Sequence, residues 1–191
     1  MRHISRLATI VFAGLVATSA AEAAGGVRSF PVPQALESDE QPIAAPTPRE
    51  IVNFDGPQKP GTIIINTSER RLYLVLPGQQ AIKYEVGVGR PGFEWVGVEH
   101  IANKREWPDW TPPSQMLLRR PDLPRHMAGG VDNPLGARAM YLSGTLYRIH
   151  GSNEPDTIGQ AVSSGCIRMT NDDVVDLYER AKIGAAVIVM R

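Results

Sequence analysis

The clearest pattern in the chain begins at Gly61, where TIIINTSERRLYLVLPGQQAIKYEVGVG alternates short apolar runs with polar breaks. Its β-branched and aromatic runs at residues 62–66 and 71–76 are joined by a polar four-residue turn. A Pro77-Gly78 turn then leads to a third run at 81–88, so the stretch predicts an antiparallel meander. A further strand is expected at 96–102. MYLSGTLYRIH (residues 140–150) predicts a hairpin turning at Ser143-Gly144. The pattern changes period once, in TNDDVVDLYERAK (residues 170–182). Val174, Leu177, Tyr178 and Ala181 there make one helical stripe, Thr170 and Asp173 have capping-box spacing, and the acidic and basic residues suit the two ends of the dipole. Gly184 stops this helix, and residues 185–190 predict a closing, largely buried strand. The expected fold is mainly β (α+β), with one helix following the loop that carries the single cysteine.

Two segments lack a period. Residues 107–127, WPDWTPPSQMLLRRPDLPRHM, hold five prolines and two tryptophans and admit neither a long helix nor a central strand. A long aperiodic loop inside a compact domain is either functional or a packed surface loop whose tryptophans cover the core. Residues 24–58 are rich in proline and charge and read as a linker. Ahead of them, Arg2 and Arg6 precede an apolar run at 7–21 and the small residues Ala21-Glu22-Ala23, the layout of a cleaved secretory signal over residues 1–23. That run is shorter than the ~20 apolar residues of a spanning helix, so no membrane span is expected after its removal. Residues 59–191 remain as one catalytic or binding domain.

Composition narrows the function. With 20 basic and 20 acidic residues the formal net charge is zero, which offers no global field for nucleic acid. Cys166 is the only cysteine of the 191 residues. In an exported protein a lone thiol pairs between chains, is buried and inert, or is kept for reactivity. A reactive thiol needs a base. Of the four histidines, His3 lies in the signal, His100 in a strand and His126 in the loop, whereas His150 ends a strand shortly before Cys166. Glycines and Pro155 in the intervening segment let the chain double back. The amides of Gly165 and Cys166 can form an oxyanion hole, and Arg168 can bind a carboxylate through two parallel bonds. The histidines show no metal-ligand spacing, and no metal or cofactor is expected.

The segments IHGSN and VSSGCIRMTNDDVVDLY, with NPLGARAMYL and GTIIINTSERRLYLV, together resemble the L,D-transpeptidase (YkuD-type) catalytic domain over residues 59–191. The resemblance implies a YkuD-like β-sandwich with a helix following the catalytic cysteine loop, with Cys166 as nucleophile, His150 as base, Gly165 as the oxyanion-hole glycine and Gly151 as the residue whose carbonyl orients the histidine. Arg168, Ser163, Ser164 and Trp110 are the implied substrate contacts. Two departures stand out: Ser164 occupies a position where many members carry a second histidine, and GFEWVG (residues 92–97) replaces the usual Thr-Pro-x-Gly segment. The implied substrate is a peptidoglycan tetrapeptide stem in the periplasm, cut after diaminopimelate with release of D-Ala. The implied acceptor amine belongs to another stem, a free D-amino acid or an outer-membrane protein. Hydrolysis of the same stems and a non-catalytic envelope-binding role are the alternatives. Sortases share the His, Cys and Arg set, but they place the histidine much further upstream and carry a Leu-x-Thr-Cys signature that is absent here.

Overall fold

The computed structural model describes residues 46–191, so the expected signal segment and residues 24–45 of the expected linker lie outside the described residues. The expected meander is present as β2 (Ile63–Asn66), β3 (Arg71–Leu76) and β4 (Gln80–Glu85), antiparallel throughout. The chain leaves the sheet after β4, because Gly87 exchanges both backbone hydrogen bonds with Arg168. The third run therefore divides, and Val88–Gly89 becomes a separate short strand, β5. One element is new. Residues Glu50–Asn53, inside the segment read as linker, form β1 and pair antiparallel with β4. Their side chains are mostly exposed, so the strand is held by its ladder and leaves no hydrophobic pattern to read.

The strand expected at 96–102 runs from Gly97 to Glu106 as β6, longer than its apolar part. Its first half pairs with β11 (Ala186–Met190). After a register shift between Ile101 and Asn103, its second half pairs with β7 (Arg138–Leu142). A bulge of this kind bends a strand and lets it serve two layers. The expected hairpin is β7 with β8 (Arg148–His150), and β8 pairs in parallel with the two-residue β10 (Ile167–Arg168). The nine-stranded order is β1-β4-β3-β2-β11-β6-β7-β8-β10. β5 pairs separately with β9 (Ala161–Ser163). The structure is thus mainly β.

Ile63, Ile65, Leu72 and Leu74 from one part of the sheet meet Ile101, Met140, Ile149 and Ile167 from the other in a single core. The long helix α2 (Asn171–Arg180) adds Val174 and Leu177 to it. The capping is as the spacing predicts: Thr170 Oγ1 accepts from the Asp173 amide at 3.1 Å. Lys104 Nζ donates to the Tyr178 and Ala181 carbonyls at the other end, satisfying acceptors that a helix terminus leaves open. Tyr84 Oη donates to Asp176 at 2.6 Å and ties the helix to the meander. α2 packs against β7, with Asn171 and Val174 next to Gly151, the residue that follows His150. No described helix is long and apolar enough to cross a membrane.

Candidate active site

The pairing of β8 with β10 brings His150 and Cys166 together. Ile149 lies opposite Ile167, and Arg168 opposite His150. Both isoleucines are almost fully buried in the core. Because side chains alternate across a strand, their neighbours project from the opposite face. Arg148, His150, Cys166 and Arg168 accordingly all line one cavity of about 820 Å³.

His150 is buried, 4% exposed, and its Nδ1 lies 2.6 Å from the Gly151 carbonyl. A carbonyl oxygen only accepts, so Nδ1 carries the proton and Nε2 keeps its lone pair. Gly151 is glycine for a steric reason, since a Cβ there would collide with Asn171 Oδ1. That oxygen already accepts from the Ala137 amide at 2.9 Å. Burial first, and then the positive charge of Arg168, lower the His150 pKa to about 3, against a smaller upward pull from the Gly151 carbonyl. The imidazole is therefore neutral at neutral pH. His100 and His126 are exposed and do not line the cavity.

Cys166 is half-buried and follows a tight loop. Ser163 is buried and lines the cavity, and its hydroxyl ties the loop together: Oγ donates to the Cys166 carbonyl at 2.6 Å and accepts from the Gly165 amide at 3.1 Å. This corrects one expectation. The Gly165 amide already has a partner and is not a free oxyanion donor, and the Ser163 proton is committed to the loop. Among the described residues the Cys166 amide has no protein partner, so it remains the available donor. Gly165 instead gives the loop its shape. Its φ of +105° lies in the left-handed region, its carbonyl accepts from Trp95 Nε1 at 2.8 Å, and a Cβ would overlap the ring edge of Tyr147. Trp95 and Tyr147 stack at 4.8 Å, an aromatic floor beneath the thiol loop. Gly165→Ala is therefore expected to cost about 2–5 kcal/mol through strain and overlap combined, and to lower turnover with it. Thermal unfolding beside an activity assay checks this, and an unchanged melting temperature would show that the loop tolerates a side chain.

Arg168 faces the cavity, but its guanidinium already has protein partners. Nη1 donates to Glu154 at 2.9 Å and to Thr157 at 3.3 Å, bracing the segment between β8 and β9. Ser164 lines the cavity with its hydroxyl accepting from Arg90 at 2.9 Å. Trp110 also lines it and exchanges backbone bonds with Met127, which pins the base of the proline-rich loop. Between those residues the loop forms a short helix, α1 (Ser114–Arg119), with no buried residues, and it walls one side of the cavity with Met116, Leu123 and Pro124. Phe93 also lines the cavity, with the guanidinium groups of Arg90 and Arg119 over its ring at 4.1 and 5.4 Å. Sequence reasoning missed Trp95, Tyr147, Asn171 and Glu154 as site-shaping residues. The only signal was the unusual GFEWVG segment, which carries Phe93 and Trp95.

Comparison with known proteins is consistent with this geometry. The YkuD family model, described as the L,D-transpeptidase catalytic domain, matches residues 60–189. A relative from Escherichia coli K12 named "Probable L,D-transpeptidase ErfK/SrfK" is 37% identical over 134 residues, covering 65% of this chain and 42% of that protein. The chain thus spans less than half the length of this curated relative. L,D-transpeptidase 3 from Mycobacterium tuberculosis has a similar fold, with a TM-score of 0.56 at 17% identity over 68% of this chain and 60% of that one. A Brucella melitensis structure described as a probable carnitine operon oxidoreductase is 44% identical, with a TM-score of 0.50 over 75% of this chain and 94% of that one.

Proposed function

We propose that this chain, which belongs to the YkuD family of L,D-transpeptidase catalytic domains, is a periplasmic acyltransferase that uses Cys166 as nucleophile on peptidoglycan tetrapeptide stems. The observation that carries the reading is the convergence of one thiol and one neutral imidazole on the same cavity, with the imidazole held in a single tautomer.

In the first half-reaction the Cys166 sulfur adds to the diaminopimelate carbonyl while His150 Nε2 takes the thiol proton. The carbonyl oxygen gains negative charge as the tetrahedral intermediate forms. The Cys166 amide, unpartnered in the protein, supports that charge by hydrogen bonding. Collapse breaks the C–N bond, and His150 returns its proton to the departing D-Ala amine. A thioester remains on Cys166. In the second half-reaction an acceptor amine loses a proton to His150 as it attacks the thioester, and the sulfur leaves with that proton. The apolar side chains that the 107–127 loop adds to the cavity, Met116, Leu123 and Met127, favour an acceptor amine over water as the second nucleophile.

The test is mass spectrometry of tetrapeptide muropeptides incubated with the protein and a D-amino acid. Loss of terminal D-Ala with gain of the added residue is expected. Conversion to tripeptide alone would make the protein a hydrolase, and unaltered stems would overturn the reading.

A further inference from the structure

Among the described residues four arginines line the cavity. Arg168 holds Glu154 and Arg120 holds Asp122, while Arg119 is exposed to solvent beside the Phe93 ring. Arg148 differs. It lies on the face of β8 that carries His150, and continuing the β8–β10 register by one residue sets Cys166 beside it. Its Nη1 donates only to the Leu146 carbonyl at 3.2 Å, and its guanidinium leans toward the Tyr141 ring at 5.2 Å. Its Nε is buried without a hydrogen-bond partner, and among the described residues no carboxylate lies within ion-pair distance of it. A buried guanidinium N–H left unmatched is unfavourable, and a carboxylate is the partner whose geometry satisfies a guanidinium best.

We propose that Arg148 binds a carboxylate of the acyl donor next to the scissile amide, and so selects donors that carry one there. The inference rests on the reading of the protein as a stem-peptide acyltransferase. The carboxylate belongs either to the departing D-amino acid or to the side-chain centre of the acyl residue. Both present the same planar acceptor pair, and two amidated donors tell them apart.

Transfer kinetics are to be measured for wild type, Arg148→Gln and Arg148→Lys on three stems: free, amidated at the terminal residue, and amidated at the side-chain centre. Wild type is expected to prefer the free stem about tenfold in kcat/KM over whichever amide removes the bound carboxylate. Arg148→Gln should abolish that preference and Arg148→Lys should restore part of it, because Lys keeps the charge without the planar fork. A preference that survives in Arg148→Gln would overturn the proposal. Equal treatment of all three stems by wild type would do the same.

A second measurement needs no turnover: the rates at which iodoacetate and iodoacetamide alkylate Cys166. Arg148→Gln should lower the ratio of the anionic to the neutral reagent several-fold. If that ratio falls while wild type transfers nothing from any stem, the carboxylate site stands and the substrate reading fails. If the ratio is unchanged and transfer proceeds without discrimination, the site fails and the substrate reading stands.

Discussion

Replacing Cys166 with alanine is expected to remove acyl transfer altogether, a loss of about 10⁴-fold or more, while leaving the fold as it is. The side chain makes no hydrogen bond among the described residues, and the loop is held by its backbone, with the Cys166 carbonyl bound by Ser163 and the Gly165 carbonyl by Trp95. Alanine keeps each of those bonds. Thermal unfolding should therefore be nearly unchanged while product formation disappears. Residual exchange of D-Ala by a correctly folded Cys166→Ala protein would falsify the thiol mechanism.

His150→Gln should lower turnover by about 10²–10⁴-fold, the usual contribution of a positioned general base. Glutamine can still donate to the Gly151 carbonyl, so the local structure has a substitute bond, but an amide cannot take up the thiol proton. Replacement of His100 or His126, which are exposed and away from the cavity, should have little effect by comparison. The pH dependence gives a second handle on the same residue. The pKa of His150 is lowered by folding, so the contribution of its neutral form is fully present above pH ~6.5 and is lost as pH falls toward the folded value of about 3. In that window the unfolded chain binds a proton that the folded chain does not, at a cost of up to about 1.4 kcal/mol per pH unit. Wild type should consequently lose more thermal stability than His150→Gln between pH 7 and pH 5. The acid limb of kcat/KM should also lie well below 6.5, and a limb at the ordinary imidazole value would show that the ring is hydrated in solution.

Those features were legible in the sequence to different degrees, for physical reasons. β2, β3 and the β7–β8 hairpin bury short runs of apolar residues, and α2 buries a stripe, so each leaves an apolar signature in the chain. β1 and the second half of β6 are mostly exposed and are fixed by backbone pairing, which leaves no apolar signature. His150 and Cys166 were found through residue chemistry and motif resemblance. The use made of the Gly165 amide was not, because it depends on where the Ser163 hydroxyl comes to rest after folding. The Trp95–Tyr147 stack likewise joins residues far apart in the chain. Arg168 reads as a substrate ligand from its position after the nucleophile, yet the fold supplies it with Glu154 and makes it a brace as well as a lining residue. Arg148 leaves no motif at all, and its unmatched Nε appears only once β8 is packed.

The central claim is a covalent thioester on Cys166, and intact-protein mass spectrometry tests it most directly. Wild-type protein mixed with a tetrapeptide donor in the absence of an amine acceptor, then quenched in acid, should gain the mass of the donor less D-Ala. Digestion should place that mass on the peptide containing Cys166, and hydroxylamine should release it. Product formation with no adduct, or an adduct on any other residue, would contradict the account.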